Sequence, residues 1–227
     1  MGFPGLVGNL AEVRETIAAR QAKAGWTHPV TVVAVTKTHG PDAVRAAALA
    51  GIGAVGENRV QEALEKQDQT ADVAVAWHLV GTLQRNKVRH AAGRFALLHA
   101  VDRLDLAAEL QKRVAPNVRQ AVLLQVNCSA EPQKGGVEPN GLWALLDGVA
   151  ALDRLEVRGL MTMAEHTGDP AIQRAAFRTL RELRDDGERR GHRLPELSMG
   201  MSADFPAAVE EGATMIRLGT ILFGGRT

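Results

Sequence analysis

A single lysine stands at the end of a strongly apolar segment early in the chain, TVVAVTKT at residues 31–38. Residues 31–36 are all Val, Ala or Thr, which is typical of a short strand buried on both faces of a parallel sheet. An ammonium group at the mouth of such a strand is expected to be partly desolvated, which favours the neutral amine that attacks carbonyl carbons to form a Schiff base. Lys37 is therefore the first candidate for chemistry, although most lysines at strand ends extend into water and have no chemical role.

The composition limits what can surround this lysine. With 227 residues and 45% hydrophobic content the chain can bury one substantial core, and we expect residues 1–227 to form a single domain. The net charge of +1, from 27 basic and 26 acidic residues, disfavours nucleic acid as a partner. The single cysteine, Cys128, excludes an intramolecular disulfide and a thiolate zinc cluster. No apolar run of about 18 residues and no signal peptide is visible, so we expect a cytoplasmic protein without a membrane partner.

Hydrophobic periodicity predicts a regular alternation of strands and helices. An amphipathic helix with Leu6, Leu10, Val13 and Ile17 on one face begins the chain, and Gly25 ends it. The predicted strands are at residues 31–38, 53–56, 76–80, 96–101, 121–127, 157–161, 196–199 and 214–218. Asp102 is the expected N-cap of a helix at 104–114, and the charged face of the helix around residues 172–183 is expected to be solvated.

Eight such units favour an α/β fold closed into a (β/α)8 barrel of the TIM type, with the first helix added to it. A doubly wound open sheet is the alternative, but no G-x-G-x-x-G sequence follows the first strand. Active sites of such barrels lie at the carboxyl ends of the strands. The residues that this arrangement brings to that rim are Lys37, Glu57, Asn58, His78, Gly81, Met161–Met163, Ser198–Ser202, Arg217, Gly219 and Thr220.

Two of these residues have ordinary structural explanations. Asn58 and Gln61 match the capping box N-x-x-Q, and a role as a helix cap explains Asn58 at least as well as contact with a ligand does. His78 has no second His, Cys or carboxylate at metal-ligand spacing. We therefore predict no metal site and assign no role to His78.

Two turns on the rim combine glycine with a hydroxyl residue. Ser202 follows Gly200 and is predicted to open a short helix, and Thr220 follows Gly219 after the last strand. Helix N-termini bind anions, and the loops after strands seven and eight of these barrels often bind phosphate. Together with Lys37, the turns describe an aldehyde-reactive amine that faces a phosphate cradle, which is what pyridoxal phosphate requires. An enzyme acting on a phosphorylated sugar is the alternative at this point.

Six segments spread over residues 31–224 resemble, in order, the YggS/PROSC family of pyridoxal phosphate-binding proteins. They are VVAVTKT, GENRVQE, WHLVGTLQRNK, HAVDR, RGLMTM and LSMGMSADFPAAVEEGATMIRLGTILFG. The resemblance implies the fold type III pyridoxal phosphate barrel, which is related to the amino-terminal barrel of alanine racemase, with the cofactor held as an aldimine on Lys37. It also implies that Ser202, Gly219 and Thr220 hold the phosphate, that Arg217 faces the pyridine nitrogen and that Asn58 lies beside the ring.

The function implied by the resemblance is pyridoxal phosphate homeostasis and supply to apo-enzymes, without a reaction of its own and with no catalytic residues. A pyridoxal phosphate-dependent amino-acid racemase is the alternative. Arg217 argues against it, because a guanidinium only donates hydrogen bonds and so leaves the ring nitrogen unprotonated, which weakens carbanion stabilisation. The chain also contains no tyrosine, the residue type that supplies a second base in those racemases, and few residues follow Gly219 for their second domain.

Three hypotheses therefore stay open: a cofactor carrier, a racemase with a second base such as His78 or Cys128, and a cofactor-free aldolase using Lys37. We expect a monomer, because a closed barrel has no unpaired sheet edge. The expected partners are pyridoxal phosphate and apo-enzymes that use it. A loop with Lys134, Gly135 and Gly136 is either a second anion site or a surface turn.

Overall fold

The computed structural model describes residues 2–129, 131, 135–165, 167 and 169–225. Eight parallel strands form a closed barrel in which each strand pairs with the next along the chain and the last pairs with the first. The strands are β1 Thr31–Val35, β2 Ala54–Glu57, β3 Ala76–Leu79, β4 Leu97–Val101, β5 Gln120–Gln125, β6 Leu155–Met161, β7 Glu196–Met201 and β8 Met215–Leu218. The predicted (β/α)8 barrel is confirmed, and the doubly wound alternative is wrong.

Helices precede the barrel and separate its strands. They are α1 Leu6–Ala24, α2 Pro41–Leu49, α3 Val60–Gln69, α4 Val88–Ala91, α5 Leu104–Arg113, α6 Leu142–Ala150, α7 Pro170–Arg189, α8 Phe205–Glu210 and α9 Thr220–Phe223. Short 3-10 turns at Arg85–Lys87 and Pro139–Gly141 lead into α4 and α6. The predicted amino-terminal helix is confirmed as α1, which Gly25 ends in a left-handed conformation.

Alternation along the strands divides the apolar side chains into an outer core and the barrel interior. Outward residues such as Ala34, Val55 and Ile216 pack with the helices in one large core. The interior holds two smaller clusters, one around Val33 and Val35 and the other comprising Leu97, Ala100, Leu123, Met161 and Met215. The interior is therefore filled with side chains, as in other eight-stranded barrels.

Two local expectations are wrong. The N-cap of α5 is Arg103, which makes no side-chain capping bond, while the carboxylate of Asp102 pairs with Arg103 at 2.7 Å. The charged face of α7 is not simply solvated: Arg174, Arg178 and Arg181 form ion pairs with Glu210 and Glu211, whose side chains are almost fully buried. The sequence pattern could not show that α8 presents these two carboxylates to α7.

Across the described part of the chain, no helix is long and apolar enough to cross a membrane.

Candidate functional site

A cavity of about 280 Å³ opens at the carboxyl ends of the strands, where the predicted site residues meet. All six residues that the sequence assigned to cofactor binding line this cavity: Lys37, Asn58, Ser202, Arg217, Gly219 and Thr220. The lining residues are Val35, Lys37, Asn58, Val80, Met163, Met201, Ser202, Ala203, Arg217, Gly219 and Thr220. The sequence therefore predicted correctly that these six would come together, while their role in binding a ligand stays a prediction.

Lys37 lies in the turn that follows β1, and a buried neighbour anchors this turn. The N–H of Thr36 donates to the carbonyl of Gly56 at 3.0 Å, and its hydroxyl donates to Oε1 of Glu57 at 2.6 Å. The carbonyl of Thr36 accepts a hydrogen bond from Nζ of Lys66 at 2.8 Å. The backbone before Lys37 is thus held from three directions, which fixes where its side chain starts.

The side chain of Lys37 is exposed, so the expected partial desolvation is wrong. The reason is that β1 ends at Val35, three residues before the predicted end at residue 38, and Lys37 follows in an open turn. The next residue, Thr38, has a φ of 70°, in the left-handed region that β-branched residues rarely adopt. Such strain persists where the surrounding contacts impose it, and it is concentrated at functional sites.

Asn58 reaches the cavity because it does not cap the following helix. The N-cap of α3 is Arg59, with no side-chain capping bond, so the capping-box interpretation is wrong. Gly81, after β3, lies against the backbone of Asn58: a Cβ at Gly81 would be 2.4 Å from the Asn58 carbonyl oxygen. Only glycine permits this close approach, which brings Asn58 to the cavity wall.

Arg217 on β8 presents a fixed cation to the cavity. Its side chain is 4% exposed, and it donates from Nη1 to Oγ of Ser198 at 2.6 Å and from Nη2 to the carbonyl of Thr162 at 2.9 Å. Burial lowers the pKa of Arg217 to about 10, so the guanidinium remains charged at neutral pH. Because a guanidinium only donates, a group that meets Arg217 in the cavity must be a hydrogen-bond acceptor.

The two glycine-hydroxyl turns meet at Ser202. Its Oγ accepts hydrogen bonds from the N–H groups of Gly219 at 3.4 Å and Ile221 at 3.3 Å. Helix α9 begins at Thr220, and most of its first N–H groups already have acceptors: those of Leu222 and Phe223 donate to the carbonyl of Gly219, and that of Ile221 donates to Ser202. The N–H of Thr220 and the hydroxyls of Ser202 and Thr220 are therefore the donors that this side of the cavity offers among the described residues.

The expectation that Ser202 opens a helix is wrong, because α8 begins at Phe205. Gly200 sets the chain direction here with a φ of 91°, and a Cβ at this position would lie 2.6 Å from that of Ala208. Ser202 therefore lies in the segment between β7 and α8, and its contacts are to Gly219 and Ile221.

Several rim residues named from the sequence lie elsewhere. Glu57 is fully buried and pairs with Lys66 at 2.6 Å. His78 lines a different cavity, formed by the amino-terminal ends of the strands. Cys128, in the segment after β5, does not line the Lys37 cavity among the described residues, and burial raises the pKa of its thiol to about 11. Lys134 lies outside the described residues.

Two further residues support the site but were missed as contacts. Lys66 bonds to the backbone beside Lys37, and its position on α3 marks it only as one more helical lysine. Ser198 accepts a hydrogen bond from Arg217. It belongs to the SMGMS segment, in which the sequence indicated a role for the glycine turn and for Ser202 only. Pairing between neighbouring strands, which brings Ser198 near Arg217, has no local signal in the sequence.

Comparisons with known proteins agree with this geometry. Residues 9–227 match the family described as "Alanine racemase, N-terminal domain". The pyridoxal phosphate homeostasis protein of Aquifex aeolicus (strain VF5) is 43% identical over 220 residues, which are 96% of this chain and 96% of that protein. PipY of Synechococcus elongatus PCC7942, solved with PLP bound, is 40% identical with a TM-score of 0.80, covering 92% of this chain and 100% of that one.

A more distant structure shows the fold alone. Alanine racemase from Clostridium difficile 630, in complex with cycloserine, is 12% identical with a TM-score of 0.80. The match covers 100% of this chain and 61% of the racemase chain. The barrel of this protein therefore has the architecture of the racemase barrel.

Proposed function

The chain belongs to the family of pyridoxal phosphate homeostasis proteins, within the larger family of the alanine racemase N-terminal domain, and we propose that it binds pyridoxal phosphate in the Lys37 cavity. Its role is to hold the cofactor and supply it to apo-enzymes. The observation that carries the proposal is that Lys37, Arg217 and the donors around Ser202 line one cavity. Pyridoxal phosphate has an aldehyde that reacts with an amine, a ring nitrogen that accepts a hydrogen bond and a phosphate that binds to hydrogen-bond donors. The cavity offers a group for each of the three.

The residues present fit the cofactor one by one. When bound, pyridoxal phosphate supplies an aldehyde that condenses with amines and a ring that withdraws electrons. Lys37 provides the amine, and the anchored Thr36 directs it towards the cavity. Arg217 would donate to the ring nitrogen, while Ser202 and Thr220, with the N–H group of Thr220, would hold the phosphate oxygens.

The same residues support a carrier more than a racemase. Arg217 donates and cannot protonate the ring nitrogen, so the electron-withdrawing power of the ring stays low. Racemisation also needs a second base on the opposite face of the substrate, and the chain contains no tyrosine. Among the described residues, neither His78 nor Cys128 lines the Lys37 cavity. We therefore propose that the protein does not turn over amino acids.

Residues 1–227 act as one barrel domain, a monomer in the cytoplasm, with pyridoxal phosphate and apo-enzymes as its partners. A closed barrel supports the monomer, since it offers no sheet edge for pairing. The net charge of +1 supports the absence of nucleic acid among the partners.

Binding is tested by measuring the affinity for pyridoxal phosphate in matched lysine variants. Lys37→Ala is expected to weaken binding about 100-fold, because the covalent link is lost, whereas Lys112→Ala on the exposed face of α5 leaves it unchanged. Equal affinity of Lys37→Ala and the unsubstituted protein contradicts the proposal.

Supply is tested by mixing the loaded protein with an apo-aminotransferase, either directly or across a dialysis membrane. Reconstitution in both arms at equal rates indicates release into solution, and faster reconstitution on direct mixing indicates transfer by contact. No reconstitution in either arm contradicts a supply role. Deuterium exchange at the α-carbon of amino acids, no faster than with free pyridoxal phosphate, is the expected result for a protein without turnover.

A further inference from the structure

Four polar side chains form a continuous hydrogen-bonded chain through the interior of the barrel. Nδ1 of His78 lies 2.9 Å from Nε2 of His99, and Nδ1 of His99 lies 2.9 Å from Oγ of Ser198. Oγ of Ser198 in turn accepts from Nη1 of Arg217 at 2.6 Å. These residues come from β3, β4, β7 and β8, and each is at most 6% exposed.

We propose that Ser198, His99 and His78 are positioning residues, which hold the guanidinium of Arg217 in place through a hydrogen-bonded chain that runs in one direction only. This inference deepens the proposed function, because it concerns how the cation at the Lys37 cavity is oriented.

The direction of the chain follows from its first member. Arginine has no acceptor, so Arg217 must donate to Ser198. In the described part of the structure, His99 is the remaining partner of the Ser198 hydroxyl, so the serine proton goes to Nδ1 of His99. If His99 donated instead, the hydroxyl proton would be buried without an acceptor, which is costly.

The two histidines then have no choice of tautomer. With Nδ1 accepting, a neutral His99 carries its proton on Nε2 and donates it to Nδ1 of His78. His78 must therefore also carry its proton on Nε2. Burial lowers the pKa of His78 to about 4, and burial together with the nearby Arg217 guanidinium keeps the pKa of His99 well below its ordinary value. Both rings are thus neutral at physiological pH, as the chain requires.

The strands are shaped to make this chain. Pairing between β4 and β5 shifts by one residue between Leu98 and Val101, which places His99 in a bulge, and β7 has a similar shift that begins at Ser198. Bulges turn a side chain away from the direction that regular pairing gives it. The hydrogen-bonded residues lie on the interior face of the barrel, which also holds two separate apolar clusters. It ends at His78, which lines the cavity at the amino-terminal ends of the strands.

Arg217 gains a defined orientation from this arrangement. Ser198 holds Nη1, and the backbone carbonyl of Thr162 holds Nη2, so two of its five N–H donors are fixed on the interior side. The backbone carbonyl of Thr162 cannot be removed by substitution, whereas the hydroxyl of Ser198 can. Loss of the hydroxyl therefore leaves the cation charged but free to rotate about its Thr162 contact.

The first test needs no cofactor. In protein prepared without pyridoxal phosphate and labelled with ¹⁵N in its histidines, nuclear magnetic resonance at neutral pH is expected to show His78 and His99 as neutral Nε2–H tautomers. A charged ring, or an Nδ1–H tautomer at either position, overturns the inference. Because this readout does not depend on cofactor binding, failure of the proposed function leaves it unaffected.

The second test measures the affinity for pyridoxal phosphate in variants with a substitution in the hydrogen-bonded series, at Ser198 or His99. Ser198→Ala and His99→Leu are expected to weaken binding about tenfold, while His99→Asn, which retains an acceptor for the serine hydroxyl, is expected to stay within about twofold of the unsubstituted protein. His90→Asn, on the exposed surface of α4, is the matched control. Unchanged affinity in Ser198→Ala, or equal losses in His99→Leu and His99→Asn, overturns the inference. If the variants do not fold, the tautomers of the unsubstituted protein still decide it.

Discussion

Nζ of Lys66 lies 2.6 Å from Oε1 of Glu57, and this buried ion pair sits directly beneath the turn that carries Lys37. The pair joins α3 to the end of β2, and its contacts to Thr36 extend it to the end of β1. Three elements are thereby connected next to the turn that carries Lys37. The second carboxylate oxygen of Glu57 is buried and has no hydrogen-bond partner among the described residues, so the pair is sensitive to loss of either member.

Removal of Lys66 should destabilise the fold. Lys66→Met leaves a buried carboxylate without its cation, and we expect the free energy of unfolding to fall by about 3–5 kcal/mol. Urea denaturation followed by circular dichroism measures it. The double variant Lys66→Met with Glu57→Gln should recover part of the loss, since the unpaired charge is gone. A loss below about 1 kcal/mol in the single variant, the range of a surface ion pair, contradicts this account.

Stability in acid should depend on Glu210. Its side chain is 4% exposed, and the bond from Arg20 at 2.6 Å, with others from Arg174 and Lys23, lowers its pKa from 4.5 to about 2. A lowered carboxyl pKa gives stability that is fully present above about 4.5 and is lost as the pH falls towards 2. We expect Glu210→Gln to be less stable at neutral pH and to lose less stability over this range.

Chemical denaturation at a series of pH values provides the measurement. The control is Glu15→Gln, at an exposed position on α1, which should follow the unsubstituted protein throughout. Parallel curves for Glu210→Gln and the unsubstituted protein would show that Glu210 does not carry this pH dependence.

Ser202 should distinguish the phosphorylated cofactor from its unphosphorylated form. Ser202→Ala removes a hydroxyl from the donors around α9, so we expect about tenfold weaker binding of pyridoxal phosphate and unchanged binding of pyridoxal. Equilibrium titration with both compounds gives the comparison. Equal weakening for both compounds would place Ser202 away from the phosphate.

Gly81 should affect the affinity for pyridoxal phosphate only through the position of Asn58. Gly81→Ala puts a methyl group 2.4 Å from the Asn58 carbonyl oxygen, so Asn58 has to move and the affinity for pyridoxal phosphate is expected to fall about tenfold. Gly53→Ala is the control, because a Cβ there meets nothing within 4 Å. Similar affinities for the two variants would mean that the close approach to Asn58 is not needed.

The barrel and the positions of its site residues were predictable from the sequence because both follow from strand order. Once eight strands alternate with helices, the residues at or just after the carboxyl end of each strand must share a rim, and Lys37, Asn58 and Arg217 do so. Local capping was less predictable. Asn58 and Asp102 carry the right side chains for an N-cap, yet in each case the N-cap is the next residue, Arg59 or Arg103.

The interior of the site was not predictable, because it depends on pairing between strands distant in sequence. His78 alternates correctly with its neighbours, but its partner His99 is 21 residues away, in a bulge that no local pattern marks. The same holds for Lys66, whose burial depends on the carboxylate that β2 directs towards α3. Periodicity identifies which face of an element is buried, and not which polar groups meet there.

We propose Lys37 as the amine that holds the cofactor. The most direct test is to load the protein with pyridoxal phosphate, reduce it with borohydride and locate the fixed adduct by peptide mass mapping. The account predicts an adduct on the peptide containing Lys37, and none at that position after substitution by alanine. An adduct found only on another lysine, with the Lys37 peptide unmodified, would contradict it.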